Sequence, residues 1–460
     1  MITVSEIIAA SPKPLKIVNS DEKTVFTSVV IDSRKVGPGS LFIAVKGERF
    51  DGHDFISEAI TRGASGIVVK KSRISDYSDL KVIVIGAADT EIALGFIAGE
   101  WRKHLKAKVF GITGSNGKTT TKDMLAAILK VNHNVVATTA NNNNHIGVPL
   151  TILEANKKTE FLVCEIGTNH PGEIKYSSSI AQPDFALITN IGDSHLEYLI
   201  NRKGVRLEKT NLFTVTRERG GVVFINVDDP FLIRLVPKIP GAITVSMKNP
   251  ADVTGKLLTY TETGLPILRI SSGEQSIKVE LQLFGKNNAI NALGAAALAI
   301  KCGISFEDIK TGLESLKPPK GRMNRYTLDG FDLIDDTYNA NPASMKSAFE
   351  TMGKDLIHEK RVVILGDMFE LGEKAREKHE SLAEQLKITR VKRAFLIGSN
   401  MRHLYNTLKG SKITAEHFKT KEDLIESLSN YDFRNSLVLV KGSRGMEMET
   451  IVKFLKEKGN

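Results

Sequence analysis

The segment with the clearest chemistry is a glycine-rich stretch that carries one lysine and two threonines. It follows an apolar run at residues 109–112, precedes apolar residues at helical spacing, and comprises Gly114, Ser115, Asn116, Gly117, Lys118, Thr119 and Thr120. Glycines let backbone N–H groups turn towards a phosphate, a lysine here reaches the β- and γ-phosphates, and the threonine after it can bind Mg²⁺. The stretch therefore predicts a loop that binds ATP and Mg²⁺.

The spacing of this loop departs from the general phosphate-binding pattern, which has four residues between its first glycine and the Gly-Lys pair. Five residues separate Gly111 from Gly117, and two separate Gly114 from Gly117. The loop is therefore a variant, and a glycine-rich turn without a ligand is the alternative interpretation. The strand and helix predicted on either side favour the nucleotide site.

Two further side chains are candidates to hold the metal. Glu165 follows the apolar run at residues 161–164, and His195 follows a second predicted strand. The carboxyl ends of parallel strands meet at one edge of a sheet, so both side chains are expected beside the phosphate loop. Taken alone, each would more often cap a helix or make a structural hydrogen bond, but their common placement favours a metal role.

Composition limits the class of protein. The chain has 460 residues, 41% hydrophobic and 25% charged, which is ordinary for about three globular domains. Cys164 and Cys302 are too few for a disulfide framework or a cysteine zinc site. No apolar run is long enough to span a bilayer, so we expect a cytoplasmic enzyme without membrane insertion. The net charge of +10 fits anionic ligands, but the scattered basic residues predict no binding of nucleic acid.

Short β-branched runs alternate with helical patterns along most of the chain, which predicts the α/β class with parallel sheets covered by helices. Helices are predicted at residues 89–105 and 288–299, and a Pro- and Gly-containing linker at 317–321. Strands are predicted at residues 28–31, 41–45, 66–69, 82–85, 109–112, 161–164, 186–188, 222–225, 332–334, 362–365, 394–397 and 437–440. We therefore predict domains at residues 1–85, 86–316 and 317–460.

An ordered set of motifs spanning the chain resembles those of the Mur ligases, the ATP-dependent amide-bond ligases of peptidoglycan precursor synthesis. The motifs lie at residues 32–34, 46–55, 114–120, 141–149, 165–168, 190–197, 335–342, 366–372 and 441–446. The resemblance implies an N-terminal UDP-binding α/β domain, a central P-loop ATPase-like domain with a parallel sheet, and a C-terminal Rossmann-like domain that binds the incoming amine.

The C-terminal motif at residues 338–342 resembles the family members that use D-Ala-D-Ala. The resemblance implies a monomeric enzyme that joins D-Ala-D-Ala to a UDP-MurNAc-tripeptide through an acyl phosphate, with ATP and Mg²⁺. Residue three of that peptide is left open as diaminopimelate or lysine. The alternatives are a sister ligase that adds this third residue, a folylpolyglutamate-type ligase, and a nucleotide-dependent switch or motor. No Asp-Asn-Pro-Arg/Lys motif is present to favour the sister ligase, and a switch would give the UDP-type block no role.

The resemblance also implies roles for individual residues. Lys118, His195 and Lys209 are implied to be catalytic, and Thr119, Glu165, His195 and Lys209 to hold Mg²⁺. Residues implied to bind ATP outside the glycine-rich loop are Asn288, Asn291, Arg322 and Asp336. Residues implied to contact the other substrates are Ser33, Arg34, Lys46, Gly47, Asp51 and His53 in the first domain and Tyr338, Asn339, Asn341, Lys441 and Arg444 in the third. The Asn-Ala-Asn-Pro sequence at 339–342 is also good turn chemistry.

Lys209 falls where the family carries a carbamylated lysine. An ammonium would repel Mg²⁺, whereas a carbamate formed from the neutral amine and CO₂ offers it anionic oxygen. Without the resemblance, a solvated lysine on a helix would be the favoured interpretation.

Three positions depart from the family pattern. Asn287 stands where histidine is common, which leaves Asn288 and Asn291 to bond the adenine. His145 replaces a residue that is often glutamate, and Asp193 replaces a small residue. The Asp193 carboxylate could face the metal or cap a turn, and we favour the turn.

Overall fold

The computed structural model of the protein describes residues 2–19, 22–47, 50–261, 264–317, 320–355 and 357–459. Glu48 and Arg49 of the motif at 46–55, and Pro318 and Pro319 of the predicted linker, lie outside the described residues. The described chain forms three α/β units in sequence, each built on its own main sheet. The predicted α/β class and three-domain organisation are confirmed.

The N-terminal unit has a five-stranded sheet and a separate two-stranded pair. Its elements are β1 (Ile2–Thr3), α1 (Val4–Ala10), β2 (Lys16–Val18), β3 (Val25–Phe26), β4 (Ser28–Val30), β5 (Ser40–Ile43), α2 (Ile56–Thr61), β6 (Ala64–Lys70) and β7 (Ile83–Ala87). The strand order of the sheet is β2-β7-β6-β5-β4, with β2 antiparallel and the others parallel. β7 spans the position at which the first domain boundary is predicted, between residues 85 and 86. The exact boundary stays a prediction.

The central unit has a nine-stranded sheet. Its elements are α3 (Thr90–His104), β8 (Lys108–Thr113), α4 (Lys118–Lys130), β9 (Val135–Ala137), α5 (Gly147–Glu154), β10 (Phe161–Glu165), α6 (Glu173–Ala181), β11 (Phe185–Ile188), α7 (Leu196–Leu199), α8 (Arg202–Glu218), β12 (Val222–Asn226), β13 (Ile243–Ser246), β14 (Val253–Tyr260), β15 (Pro266–Ser272), β16 (Gln275–Glu280), α9 (Lys286–Lys301) and α10 (Phe306–Ser315). The order is β16-β15-β14-β13-β12-β11-β8-β10-β9.

Strands β8 to β14 are parallel, and their apolar residues are buried on both faces of the sheet. Phe110, for example, packs into the core beneath α4 and α9, whereas its neighbour Val109 packs into the core on the opposite face. Burial on both faces explains why these strands read as continuous apolar runs. The antiparallel strands β15 and β16 extend the sheet beyond the predicted elements.

The C-terminal unit has a six-stranded sheet in the order β17-β18-β22-β19-β20-β21, parallel except for β17. Its elements are β17 (Asn324–Leu328), β18 (Phe331–Asp336), α11 (Pro342–Met352), β19 (Lys360–Gly366), α12 (Ala375–Glu380), α13 (Leu382–Ile388), β20 (Arg393–Ile397), α14 (Met401–Leu408), β21 (Thr414–Phe418), α15 (Lys421–Ser429), β22 (Ser436–Lys441) and α16 (Glu449–Lys458). Among the described residues, no helix is long and apolar enough to cross a membrane.

Two helical glycines allow a matched test of helix packing. A Cβ atom on Gly312 of α10 would lie 2.4 Å from Cα of Ile128 in α4, whereas a Cβ on Gly99 of α3 would meet its nearest atom at 3.9 Å. We expect Gly312→Ala to lower the free energy of unfolding by about 1–3 kcal/mol through overpacking. Gly99→Ala should raise it by up to about 1 kcal/mol through helix propensity. Urea unfolding followed by circular dichroism tests this, and equal midpoints for the two variants would contradict it.

Candidate active site

The glycine-rich loop joins the end of β8 to the start of α4 at the carboxyl edge of the central sheet. Gly114 has a φ of +151° and Gly117 a φ of +82°, which side chains rarely allow. A Cβ atom would also lie 1.9 Å from Oγ1 of Thr189 at the first position and 2.2 Å from Oδ1 of Asn291 at the second. Both positions therefore require glycine, and the loop presents the positive end of a 13-residue helix.

The residues between these glycines are held by the segment that follows β11. The N–H of Ser115 donates to the carbonyl of Asn190 at 3.0 Å, and the N–H of Asn116 donates to Oδ1 of Asn190 at 3.1 Å. The hydroxyl of Ser115 accepts a hydrogen bond from the N–H of Gly192 at 2.9 Å. Because the loop is already ordered, binding of a phosphate there costs little further conformational entropy.

Two cations lie at the loop. Nζ of Lys118 donates to the carbonyl of Gly114 at 2.8 Å, and burial lowers the pKa of Lys118. Arg322, from the C-terminal unit, donates from Nη2 to Oγ1 of Thr119 at 3.1 Å, and its guanidinium lies 4.0 Å from the centroid of the Tyr338 ring. Stacking on the aromatic ring orients the guanidinium. Positive charge at the loop therefore comes from two different units.

A buried acid and a buried amine lie close to the loop, and each has an unpartnered atom. Glu165 ends β10 and is 1% exposed; Oε1 accepts from Nδ2 of Asn143 at 2.8 Å, but Oε2 has no hydrogen-bond partner among the described residues. Lys209 of α8 is fully buried, and its Nζ also lacks a partner within the described chain. Burial, aided by the charge of Lys118, holds the pKa of Lys209 well below its usual value. Since unpartnered buried polar atoms are rare, both indicate a ligand.

His195 meets the C-terminal unit at the mouth of the site. Its backbone is left-handed, with a φ of +53°, at the start of α7. Nδ1 of the ring lies 2.7 Å from Oε2 of Glu370, and this contact lowers the pKa of Glu370. With Nδ1 facing the carboxylate, Nε2 is the ring nitrogen left to bind a ligand.

The strand ends of the C-terminal unit complete the site. Nζ of Lys441 is buried and donates to Oδ2 of Asp336 at 2.5 Å and to the carbonyl of Asn339 at 2.8 Å. Nδ2 of Asn341 donates to Oδ1 of Asn116 in the glycine-rich loop at 2.6 Å, while the same side chain caps α11. Asn341, predicted to contact substrate, therefore also joins the two units directly.

A single cleft between the central and C-terminal units gathers most of the predicted site. Its empty volume, which includes space open to the bulk solvent, is about 1750 Å³. The predicted residues that line it are Ser115, Asn116, Gly117, Lys118, Thr119, Thr120, Glu165, His195, Asn288, Asn291, Arg322, Asp336, Tyr338, Asn339, Asn341, Lys441 and Arg444. Gly114 and Lys209 do not line the cleft. No cluster of three His, Cys, Asp or Glu side chains suited to a metal occurs in the described part of the chain, so a metal here would need other oxygen ligands as well.

The predicted substrate residues of the N-terminal unit lie outside this cleft. They are Ser33, Arg34, Lys46, Gly47, Asp51 and His53. His53 is 4% exposed, with Nδ1 2.6 Å from Oδ1 of Asp51 and Nε2 accepting from the N–H of Lys70 at 3.1 Å. Ser33 donates to Glu58 at 2.8 Å, whereas the side chain of Arg34 is 79% exposed. Arg34 and Lys46 are the exposed cations of this set, and the Arg34 guanidinium already donates two hydrogen bonds to the carboxylate of Asp32, at 2.9 and 2.8 Å.

The three departures from the family pattern have distinct surroundings. Asn287 lines the cleft. Nε2 of His145 lies 3.0 Å from Oε2 of Glu91 in α3. Asp193 accepts two hydrogen bonds from Arg202, at 2.8 and 3.0 Å, and lies 3.6 Å from Nζ of Lys378 in the C-terminal unit. The carboxylate of Asp193 thus forms ion pairs with both Arg202 and Lys378.

Several residues that line the cleft were not predicted as site residues, among them Asn143, Phe284, Phe369 and Glu370. Glu370 had a detectable signal, since it is an acidic residue in a short turn after a predicted strand, the same pattern that identified Glu165. Asn143 and Phe284 had no such signal. Their role follows from contacts between distant segments.

Three family models match successive parts of the chain. A Mur ligase family catalytic domain matches residues 25–95, a Mur ligase middle domain matches 112–299, and a Mur ligase glutamate ligase domain matches 321–444. The matches follow the order of the three units.

Relatives and solved structures cover nearly the whole chain. The UDP-N-acetylmuramoyl-tripeptide--D-alanyl-D-alanine ligases of Escherichia coli (36% identical, 94% of each chain) and Bacillus subtilis (34%, 95% of this chain and 94% of the relative) are similar to it. So are crystal structures of MurF from Acinetobacter baumannii (TM-score 0.86, 30% identity, 99% and 98% of the chains) and of MurF from Thermotoga maritima with ADP (0.81, 30%, 94% and 97%). The chain belongs to the Mur ligase family.

Proposed function

We propose that this protein is an ATP-dependent ligase that joins D-Ala-D-Ala to a UDP-MurNAc-tripeptide and releases ADP and phosphate, acting as a cytoplasmic monomer. The observation that carries the proposal is the cleft in which the glycine-rich loop faces the strand ends of the C-terminal unit. The names of the relatives in Escherichia coli and Bacillus subtilis state the same reaction. A ligase needs this geometry because phosphate donor, acyl group and amine must meet at one point.

The chemistry requires an activated carboxylate. A carboxylate oxygen is a poor leaving group, so the terminal carboxylate of the tripeptide would first take the γ-phosphoryl group of ATP. The amine of D-Ala-D-Ala would then attack the acyl phosphate, and the tetrahedral intermediate would expel phosphate. Two anions approach each other in the first step, and Lys118 and Arg322 are positioned to offset that repulsion.

The residues at the cleft fit a divalent cation held by oxygen and imidazole. Thr119 follows the lysine of the loop, Glu165 has a buried oxygen without a partner in the described chain, and His195 has Nε2 available. When bound, Mg²⁺ would neutralise charge between the γ-phosphate and the attacking carboxylate. These three residues and a carbamate on Lys209 are the ligands we propose.

The surroundings of Lys209 support carbamylation. Carbamate formation requires a neutral amine, and burial holds the pKa of Lys209 well below its usual value, which shifts the amine towards that form. Lys209 is fully buried and its amine has no hydrogen-bond partner among the described residues, which is otherwise costly to keep in a folded protein. The proposal that this lysine carries a carbamate therefore rests on its burial as well as on the family pattern.

The two other substrates would lie at opposite ends of the site. We propose that Tyr338, Asn339 and Arg444 contact D-Ala-D-Ala; Arg444 is 65% exposed at the cleft and has Glu449 as its ion-pair partner at 3.0 Å. The N-terminal set described above would bind the UDP end of the acceptor. The acceptor peptide would then reach from the N-terminal unit into the cleft.

The first expected outcome concerns the substrates. ADP release should require both a UDP-MurNAc-tripeptide and D-Ala-D-Ala and should match the formation of a new amide mole for mole. A panel of UDP-MurNAc-peptides and amine donors, with products identified by mass spectrometry, measures this. Addition of one diamino acid to the dipeptide would instead identify the sister ligase, and ADP release without an amide would indicate a switch or motor.

The second outcome concerns Lys118. We expect Lys118→Ala to lower kcat by at least about 10²–10³-fold, since it removes a cation that stabilises the transferred phosphoryl group. The fold should persist because the loop is held by backbone hydrogen bonds. Lys106→Ala, at an exposed lysine outside the cleft, serves as the control and should keep full activity. Near wild-type turnover of Lys118→Ala at saturating MgATP would refute the assignment.

The third outcome concerns the carbamate. Wild-type protein equilibrated with ¹³CO₂ should give a carbamate carbon signal in its ¹³C NMR spectrum that grows with dissolved CO₂ and with Mg²⁺. Lys209→Ala should lack this signal and should lower kcat more than it raises KM for ATP. Lys203→Ala, at an exposed lysine of the same helix, should retain both signal and activity. An unmodified ammonium in active, Mg²⁺-loaded enzyme would disprove the carbamate.

A further inference from the structure

A loop of the C-terminal unit reaches the central unit directly. We define it as the bridging loop, residues 367–372, which follows β19. Its Phe369, Glu370 and Leu371 line the cleft, and Glu370 contacts His195 at 2.7 Å. A Cβ atom on Gly372 would lie 3.6 Å from Cα of Glu197. The conformation of this loop therefore sets part of the active-site wall.

The bridging loop has an unfavourable backbone that must be held by its surroundings. Glu370 has a φ of +60°, in the left-handed region that a side chain disfavours. Asp367, at the start of the loop, accepts a hydrogen bond from the N–H of Met401 at 2.8 Å. The N–H of Phe369 donates to Oγ of Ser443 at 2.8 Å. Met368, which lies between Asp367 and Phe369, is held by a third hydrogen bond, and we call these three contacts the anchors of the loop.

The third anchor is His379 of α12. Its ring is fully buried; Nε2 accepts a hydrogen bond from the N–H of Met368 at 3.0 Å, and Nδ1 lies 2.6 Å from the carbonyl of Ala375. A backbone N–H can only donate and a carbonyl can only accept. The ring must therefore be neutral and carry its proton on Nδ1.

The charges around the ring act in opposite directions. Burial is the main effect and lowers the pKa of His379, which favours the neutral form. The nearby carboxylate of Asp367 opposes this, while His403 of α14 reinforces it. Asp367 already accepts hydrogen bonds from α14, so it is not free to pair with a protonated ring. Burial of the ring and its hydrogen bonds to Met368 and Ala375 thus favour the neutral form.

We infer that His379 is a positioning residue that fixes the bridging loop through the backbone of Met368, and that protonation of its ring releases the loop. A protonated Nε2 would present an N–H to the N–H of Met368, so the anchor would be lost as the pH falls. The effect on catalysis would pass through Phe369 and Glu370 to the cleft. This part of the inference rests on the proposed ligase function.

Two variants separate the hydrogen bond from mere occupancy of the site. In His379→Gln, the longer amide can still accept from the N–H of Met368, and it does not titrate. In His379→Asn, the shorter amide can reach Ala375 but not Met368. We expect Asn to lower kcat about tenfold, since a buried N–H loses its partner, while KM for the UDP substrate stays unchanged. Gln should restore most of kcat.

The pH dependence adds a second measurement. The pKa of His379 is lowered from the ordinary histidine value of about 6.5, so the neutral ring that anchors the loop is present above the lowered pKa. Wild type should therefore lose kcat only at acidic pH, as the pH falls through that lowered pKa and the ring is protonated. His379→Gln should lose less activity over the same range. His403→Gln, a nearby histidine with no hydrogen bond to the loop among the described contacts, is the matched control and should follow wild type.

The ring itself can be observed without any activity. Long-range ¹H–¹⁵N NMR of wild type at neutral pH should show a protonated Nδ1 and an unprotonated Nε2 for His379, assigned by the loss of these signals in His379→Gln. The opposite tautomer, or a folded His379→Asn with the kcat and acid profile of wild type, would overturn the inference, as would a folded His379→Gln as inactive as Asn. If wild type fails to ligate D-Ala-D-Ala, the proposed function fails, and the NMR result still decides the state of the ring.

Discussion

The active site depends on charged side chains that are buried near the carboxyl edge of the central sheet. Some of their polar atoms have no hydrogen-bond partner in the described chain. Glu165 and Lys209 each keep an atom without a hydrogen-bond partner in the described chain, and Lys118 lies beside them with a lowered pKa. Such groups cost stability wherever partners are missing. The apolar cores on both faces of the sheet offset that cost. The residues at the strand ends therefore need not be apolar and can carry the polar groups of the site. Apolar residues of the strands thus stabilise the fold, whereas the strand end at Glu165 and the helices α4 and α8 supply the charged groups of the site.

The site is shared between units that are far apart in the chain. Arg322 contacts Thr119, Asn341 contacts Asn116, and Glu370 contacts His195. Each pair joins a residue of the central unit to one of the C-terminal unit, so the cleft has this shape only while the two units are in contact. In a ligase this arrangement makes assembly of the site depend on contact between the two units.

Much of the fold could be predicted because its signals are local. The strands at residues 109–112 and 161–164 are apolar runs in the sequence. The glycines between β8 and α4 are also visible in the sequence, and the structure shows that φ and the lack of space for a side chain require them. Strands β9 and β13 to β16 of the central sheet were not predicted. They lie towards its two edges, where buried and partly exposed residues mix and the apolar runs are interrupted. Glu370 follows a predicted strand and Asn143 lies in the motif at residues 141–149, but the contacts of Glu370 with His195 and of Asn143 with Glu165 join distant segments, and no local pattern encodes those contacts.

The position of the N-terminal unit bears on specificity. Its predicted ligand residues lie outside the cleft, so the UDP end of the acceptor would be bound far from the carboxylate that reacts. Binding energy that is equal in the ground state and the transition state lowers KM, whereas remote binding energy that orients the reacting carboxylate raises kcat. Contacts that strengthen only during phosphoryl and acyl transfer must come from the central and C-terminal units. The sites proposed above thus place recognition of the UDP end in the N-terminal unit and the chemical steps in the other two units.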